Sequence, residues 1–127
     1  SRQAFDMAGV TPADIDACEF YDCFTYTVEA TLRDYGFFKK EQVRDFITRE
    51  RLAPGGSLPV NTSGGMLSEA YFMGLTPLAE SFMQLTGRCG DRQLGKLAGT
   101  KEPALIACSD NGAVFQGHAA MILERGE

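Results

Sequence analysis

Apolar residues recur along this chain in two spacings, one suited to helices and one to short buried strands. Phe24, Val28, Leu32 and Tyr35 fall at helical intervals and Gly36 follows as a stop, which predicts a helix from about Cys23 to Tyr35. Val43, Phe46 and Ile47 share a face of a second helix over Lys40 to Glu50. Leu78, Phe82 and Leu85 line the buried face of a third, with Thr76 as its N-cap, Pro77 at its first position and Gly87 as its end. That start leaves Tyr71 in the loop leading into the helix. Ser1 to Gly9 reads as the end of another helix, with Ala4, Phe5 and Ala8 on one side, and Thr11 to Asp14 as a short capped turn. Compact apolar runs predict strands at Ala17 to Tyr21, Leu58 to Asn61, Ala104 to Cys108 and Val114 to Leu123. A turn at Asp110-Asn111-Gly112 should join the last two.

Strands alternating with helices define an α/β domain, a mixed sheet covered by helices. At 127 residues the chain suits one domain, and Pro54-Gly55-Gly56-Ser57 is a turn too short to link two. Composition narrows the function. Seventeen acidic residues against 12 basic ones give a net charge of -5, and no basic run exceeds Lys39-Lys40. Counterion release from phosphates therefore has no surface to act on, and a nucleic-acid partner is not expected. The longest stretch free of charged residues, Leu52 to Ser68, carries two prolines and four glycines. It is shorter than the roughly 20 apolar residues that span a bilayer, so no membrane partner is expected either. Four cysteines without a CxxC, and one histidine, give neither a disulfide framework nor a zinc-ligand cluster. Reduced thiols in a cytoplasmic protein are the simplest reading.

Three groups could carry chemistry. In Asn61-Thr62-Ser63-Gly64-Gly65, paired glycines let backbone approach a ligand and aim N–H groups at a developing negative charge, although on composition alone a tight turn between strand and helix is the commoner reason for them. Tyr21 and Tyr71 carry phenols that can donate to an oxyanion, or move a proton if the pKa falls from about 10; buried tyrosines more often only pack. Cys23 and Cys108 lack an adjacent histidine and default to small buried hydrophobes. His118, among Gly117, Ala119 and Ala120, reads as a core or edge histidine.

Taken in order, Glu19-Phe20-Tyr21-Asp22-Cys23-Phe24, then Asn61 to Glu69, then Gln84-Leu85-Thr86-Gly87 with Arg92-Gln93, resemble the C-terminal part of the thiolase superfamily. The resemblance covers essentially the whole chain and is strongest to the sterol-carrier, lipid-transfer branch. It implies a partial thiolase-like C-terminal domain over residues 1–127 that lacks one strand of the family's sheet. Where that branch has histidine in its first motif, this chain has Tyr21. Where the Gly-His-Pro of the second motif is expected, it has Ala70-Tyr71-Phe72. Cys108-Ser109-Asp110 lies in the region of the family's Cys-x-Gly but lacks the glycine.

Those departures resemble the steroid side-chain aldolases of the superfamily, which cleave a β-hydroxyacyl-CoA by a retro-aldol step. Such a step needs a base for the β-hydroxyl proton and donors for the enolate, and no nucleophilic cysteine. The resemblance thus implies Tyr21 and Tyr71 as catalytic groups, and Asn61, Ser63, Gly64 and Gly65 as substrate-binding ones. Cys108 and His118 remain further candidates. The coenzyme A thioester is implied as substrate, with no separate cofactor, and no metal is expected. The full-length parent is implied to be a homodimer, with an OB-fold and zinc-ribbon protein as a second partner. The isolated chain is expected to be inactive. A noncatalytic acyl-CoA or lipid-binding module is the alternative.

Overall fold

The computed structural model describes residues 2–112 and 117–126. At its centre lies a three-stranded mixed sheet. Strand β1 (Ala17–Phe20) pairs in parallel with β2 (Leu105–Gly112), Ala17 opposite Ile106, and β2 pairs antiparallel with β3 (Gly117–Glu124), Leu105 opposite Glu124. All four residues of β1 are buried, which is why that run does not alternate in polarity: helices cover both faces.

On one face sit helix α1 (Arg2–Ala8) and helix α2 (Thr25–Asp34). Phe5, Leu32, Tyr35 and Phe38 pack there against Cys18, Phe20 and Ala107. Phe20 and Leu32 are wholly buried, each contributing about 2 kcal/mol by its removal from water. Phe24 does not join this face as its spacing predicts; it sits before the first helical residue and is 63% exposed.

The other face carries the helix Leu75–Leu85, which follows two short helices, α3 (Val43–Phe46) and α4 (Arg49–Leu52), and is therefore α5. It packs on β1 and β2, and Leu85 meets Ala17, Leu94 and Ile106. Its inward face is not the one apolar spacing suggested. Pro77, Glu80, Ser81, Gln84 and Leu85 are buried, whereas Phe82 and Leu75 are 54% and 62% exposed. The helix also begins two residues early, with Gly74 as N-cap. Pro77 is accommodated in the first turn, where an N–H has no helical acceptor, and the Thr76 hydroxyl donates back to the carbonyl of Ala70 at 3.2 Å.

Three further expectations are corrected. Lys40 to Glu50 is not one helix: a 3-10 turn over Lys40–Gln42 precedes α3, and the chain breaks at Ile47 and Thr48, whose extended backbone starts α4. Leu58 to Asn61 forms only an isolated parallel bridge, Val60 to Cys18, because Pro59 has no N–H to donate and Asn61 turns away at φ 52°. Asp110 and Asn111 are not a turn but continue β2, opposite Ala119 and His118. Of the expected strand from Val114 to Leu123, residues 114–116 lie outside the described residues, and β3 supplies the remainder.

Candidate active site

Two tyrosines fifty residues apart in sequence meet here. Tyr21 follows the last residue of β1, and its amide donates to the hydroxyl of Ser109 in β2 at 3.4 Å. Its ring is buried and its hydroxyl lies 3.0 Å from that of Tyr71. Tyr71, in the loop before α5, is 60% exposed. The hydrogen bond from Tyr71, with burial second, pushes the Tyr21 phenol up to about 12, so it carries its proton at neutral pH. Tyr21 is thus the inner, proton-holding member of the pair and Tyr71 the solvent-facing one.

The glycine segment is built beside them. The amide oxygen of Asn61 accepts the backbone N–H of Phe20 at 2.7 Å, tying the turn to the residue before Tyr21. Gly64 and Gly65 adopt φ of 91° and 73°. A side chain at 64 would press on Ser68, and one at 65 would collide with the carboxylate of Asp22, which accepts the N–H of Met66 at 3.1 Å. The turn's amides are committed internally: Thr62 to Glu19, Gly64 to the carbonyl of Asn61, Gly65 to the hydroxyl of Ser63, and Met66 to Asp22. In this conformation those amides do not aim outward. Ser63, Ala70, Phe72, Ala79 and Glu80 instead line a cavity of about 240 Å³ alongside the Tyr71 loop.

Of the remaining candidates, Cys108 directly precedes the Ser109 that bonds Tyr21, and His118 lies on β3. Cys108 is fully buried under α5, within hydrogen-bonding reach of Ser81, and burial pushes its thiol up to about 12. A thiol that far above neutral supplies little thiolate. All four cysteines are free. His118 sits on β3 between the hydroxyl of Tyr35, 2.9 Å from Nε2, and the side-chain oxygen of Asn111 at Nδ1, and burial draws its pKa down. Among the described residues no three His, Cys, Asp or Glu side chains group as metal ligands, and no helix is long and apolar enough to cross a membrane.

Sequence reasoning missed two features. Asp110 lies against Gly74, whose position admits no Cβ, and its charge adds to the forces that keep Tyr21 protonated. Beneath the turn, Glu19 and Glu80 are each 1% exposed and both reach the hydroxyl of Thr62. The only sequence signal for these groups was the invasion of apolar runs by single charged residues.

A mixed sheet between helices, with a double-glycine turn beside its first strand, is the frame of a known class: the chain belongs to the thiolase C-terminal domain-like family, whose model matches residues 1–125. Among its relatives, a 17-hydroxy-3-oxo-4-pregnene-20-carboxyl-CoA lyase of Mycobacterium tuberculosis is 42% identical over 86 residues, 68% of this chain and 22% of that protein. A steroid side-chain-cleaving aldolase of Thermomonospora curvata is 40% identical over a match of the same extent. Sterol carrier protein 2 of Gallus gallus is 34% identical over 98 residues, 75% of this chain and 18% of that protein. Among solved structures, the Ltp2-ChsH2(DUF35) aldolase superposes with a TM-score of 0.80 at 30% identity, covering 98% of this chain and 30% of that one. The chain spans about a fifth of the length of the first two of these relatives, 22% of each.

Proposed function

We propose that the protein to which this domain belongs is a retro-aldolase acting on a β-hydroxyacyl-CoA with a steroid-type acyl group. The observation that carries this reading is the 3.0 Å contact between the hydroxyls of Tyr21 and Tyr71. Relatives at 42% and 40% identity, named as a CoA-ester lyase and a steroid side-chain-cleaving aldolase, support it.

In this mechanism the pair enters the step with one of its two phenolic protons already lost to solvent, and the phenolate oxygen, held at 3.0 Å by the O–H of the other tyrosine, takes the β-hydroxyl proton. The Cα–Cβ bond breaks, a carbonyl forms at Cβ, and the electron pair moves onto the thioester as an enolate. Donation from the protonated Tyr21 stabilises that charge, and the pair returns the proton to Cα to release the shortened acyl-CoA. Proton and electrons balance with no external oxidant or nucleophile. Asn61, Ser63, Gly64 and Gly65 serve as the rigid wall against which the thioester lies, with Ser63 reaching the adjoining cavity. Cys108 and His118 take no step. The coenzyme A thioester is substrate, and the step needs no separate cofactor. We further propose that the full-length protein works as a homodimer with a second protein of the kind named in the Ltp2-ChsH2(DUF35) aldolase.

The test is product analysis. Full-length protein, with and without such a partner, is given a β-hydroxyacyl-CoA and the products are separated. A ketone or aldehyde formed in equal amount with a shortened acyl-CoA is the expected result. Tight binding of the thioester without cleavage would replace this reading with a noncatalytic acyl-CoA-binding module.

A further inference from the structure

Beneath the glycine turn the hydrogen bonds do not close without an extra proton. The hydroxyl of Thr62 lies 2.6 Å from Oε1 of Glu19 and 2.8 Å from Oε1 of Glu80, while Nε2 of Gln84 approaches it at 3.1 Å. Gln84 donates. The Thr62 hydroxyl owns one hydrogen and can satisfy one carboxyl oxygen, so the other oxygen must bring a hydrogen of its own. Two bare carboxylates cannot share this hydroxyl at these distances. All of it is enclosed: Glu19 and Glu80 are each 1% exposed, Thr62 3% and Gln84 0%.

Charge decides which carboxyl is protonated. Glu80 has a counter-ion, since Nη2 of Arg92 lies 2.9 Å from its Oε2. Glu19 has no ion-pair partner among the described residues; the other groups acting on it are Glu80 from α5 and Asp22 beyond β1, both acidic, with the thiols of Cys18, Cys89 and Cys108 around it. Burial, with Glu80 and Asp22 adding to it, raises Glu19 to about 8, against the opposing hydrogen bonds from Thr62.

We propose that Glu19 is a neutral carboxylic acid at physiological pH, donating to Thr62 as Thr62 donates to Glu80, and that this shared proton clamps the Asn61–Gly65 turn onto α5. Glu19 and Glu80 are then positioning residues, acting through Thr62 and touching no substrate. The arrangement has a consequence for pH. Once Glu19 ionises, two carboxylates compete for one hydroxyl, one must withdraw, and when Glu80 withdraws the turn keeps only the Gln84 bond of its two ties to α5. The catalytic importance of that loss rests on the retro-aldol reading; the clamp itself does not.

Two measurements on the full-length protein test the clamp without relying on turnover. The first is the infrared carbonyl stretch of a protonated carboxylic acid at pH 6, where ordinary Asp and Glu side chains are ionised. The band should be present, should vanish as pH rises through about 8, and should be absent in Glu19→Gln. The second is hydrogen exchange of the amides of Gly64, Gly65 and Met66, corrected for intrinsic rates; the amide of Thr62 is left aside because it donates to Glu19 itself. Their protection should fall about tenfold across the same pH range in the natural protein, the scale of one lost hydrogen bond. It should hold steady in Glu19→Gln, whose side chain stays neutral. Should Glu19→Gln fail to fold, Glu80→Gln decides the matter: removing the neighbouring anion must move the loss of the band to lower pH. Absence of the band at pH 6, its persistence in Glu19→Gln, or an unmoved titration in Glu80→Gln would each overturn the proposal. Absence of any turnover would sink the retro-aldol reading alone.

Discussion

Replacing Gly65 by alanine probes how closely the site is built. The position holds φ at 73°, and a Cβ there would run into the carboxylate of Asp22, the residue after Tyr21. A left-handed backbone costs an alanine about 1–2 kcal/mol. Asp22 must also swing away and give up the N–H of Met66, worth about 1 kcal/mol. The total is about 2–3 kcal/mol. Gly9 supplies a control: its φ is 68°, yet nothing lies within 4 Å of a Cβ built on it, so Gly9→Ala carries the backbone term alone. Both variants are unfolded in urea and by heat, where about 1 kcal/mol lowers Tm by ~3–6 °C for a domain of this size. Gly65→Ala should cost about 1 kcal/mol more than Gly9→Ala, the difference being the Asp22 contact. Equal losses in the two variants would mean that Asp22 does not buttress the turn, and the rigid-wall account would fall with it.

Two further outcomes follow from the buried acids. Glu19 is raised to about 8 when folded, so the native state holds one more proton than the unfolded chain between about pH 4.5 and 8; stability should decline as pH rises through that window, by at most about 1.4 kcal/mol per unit, and Glu19→Gln should flatten the slope, which chemical denaturation across pH would read. Asp16 behaves in the opposite sense. Its burial is outweighed by Lys101, 2.5 Å away, and by the amides of Leu105 and Ala104, so its pKa is lowered, and its contribution, present above the ordinary carboxylate range, should be lost on acidification. Asp16→Asn should cost about 1–3 kcal/mol at neutral pH in the same assay, and a loss below about 0.5 kcal/mol would show that Asp16 does not anchor the start of β2.

What was legible in the sequence was whatever one residue's own chemistry imposes. The compact run at Ala17 is a strand because it is buried on both faces, and Leu32 and Tyr35 fall inward because helical spacing puts them there. Motif order placed Tyr21 and Tyr71 among the candidates, although no local pattern foretells that their hydroxyls meet. The orientation of α5 departs from its spacing because its apolar residues do form a stripe, yet the interior it faces holds a polar cluster around Thr62, and Glu80 and Gln84 turn inward to satisfy it. Spacing measures amphipathicity and is silent on which stripe a polar interior selects. Asp110 and Asn111 were misread for a related reason. Turn propensity favours Asn-Gly, but pairing with Ala119 and His118, together with the side-chain bond from Asn111 to His118, holds them in the ladder.

The tyrosine pair bears the central claim, and its most direct test removes one oxygen at a time. Tyr21→Phe and Tyr71→Phe in the full-length protein delete only the hydroxyls that meet at 3.0 Å, so both variants should fold with stability within about 1 kcal/mol of the natural protein. Steady-state cleavage of a β-hydroxyacyl-CoA should then fall by about a hundredfold or more in each, as it does when an acid–base group is lost. Near-normal cleavage rates in both variants would contradict the account and leave the tyrosines as packing residues.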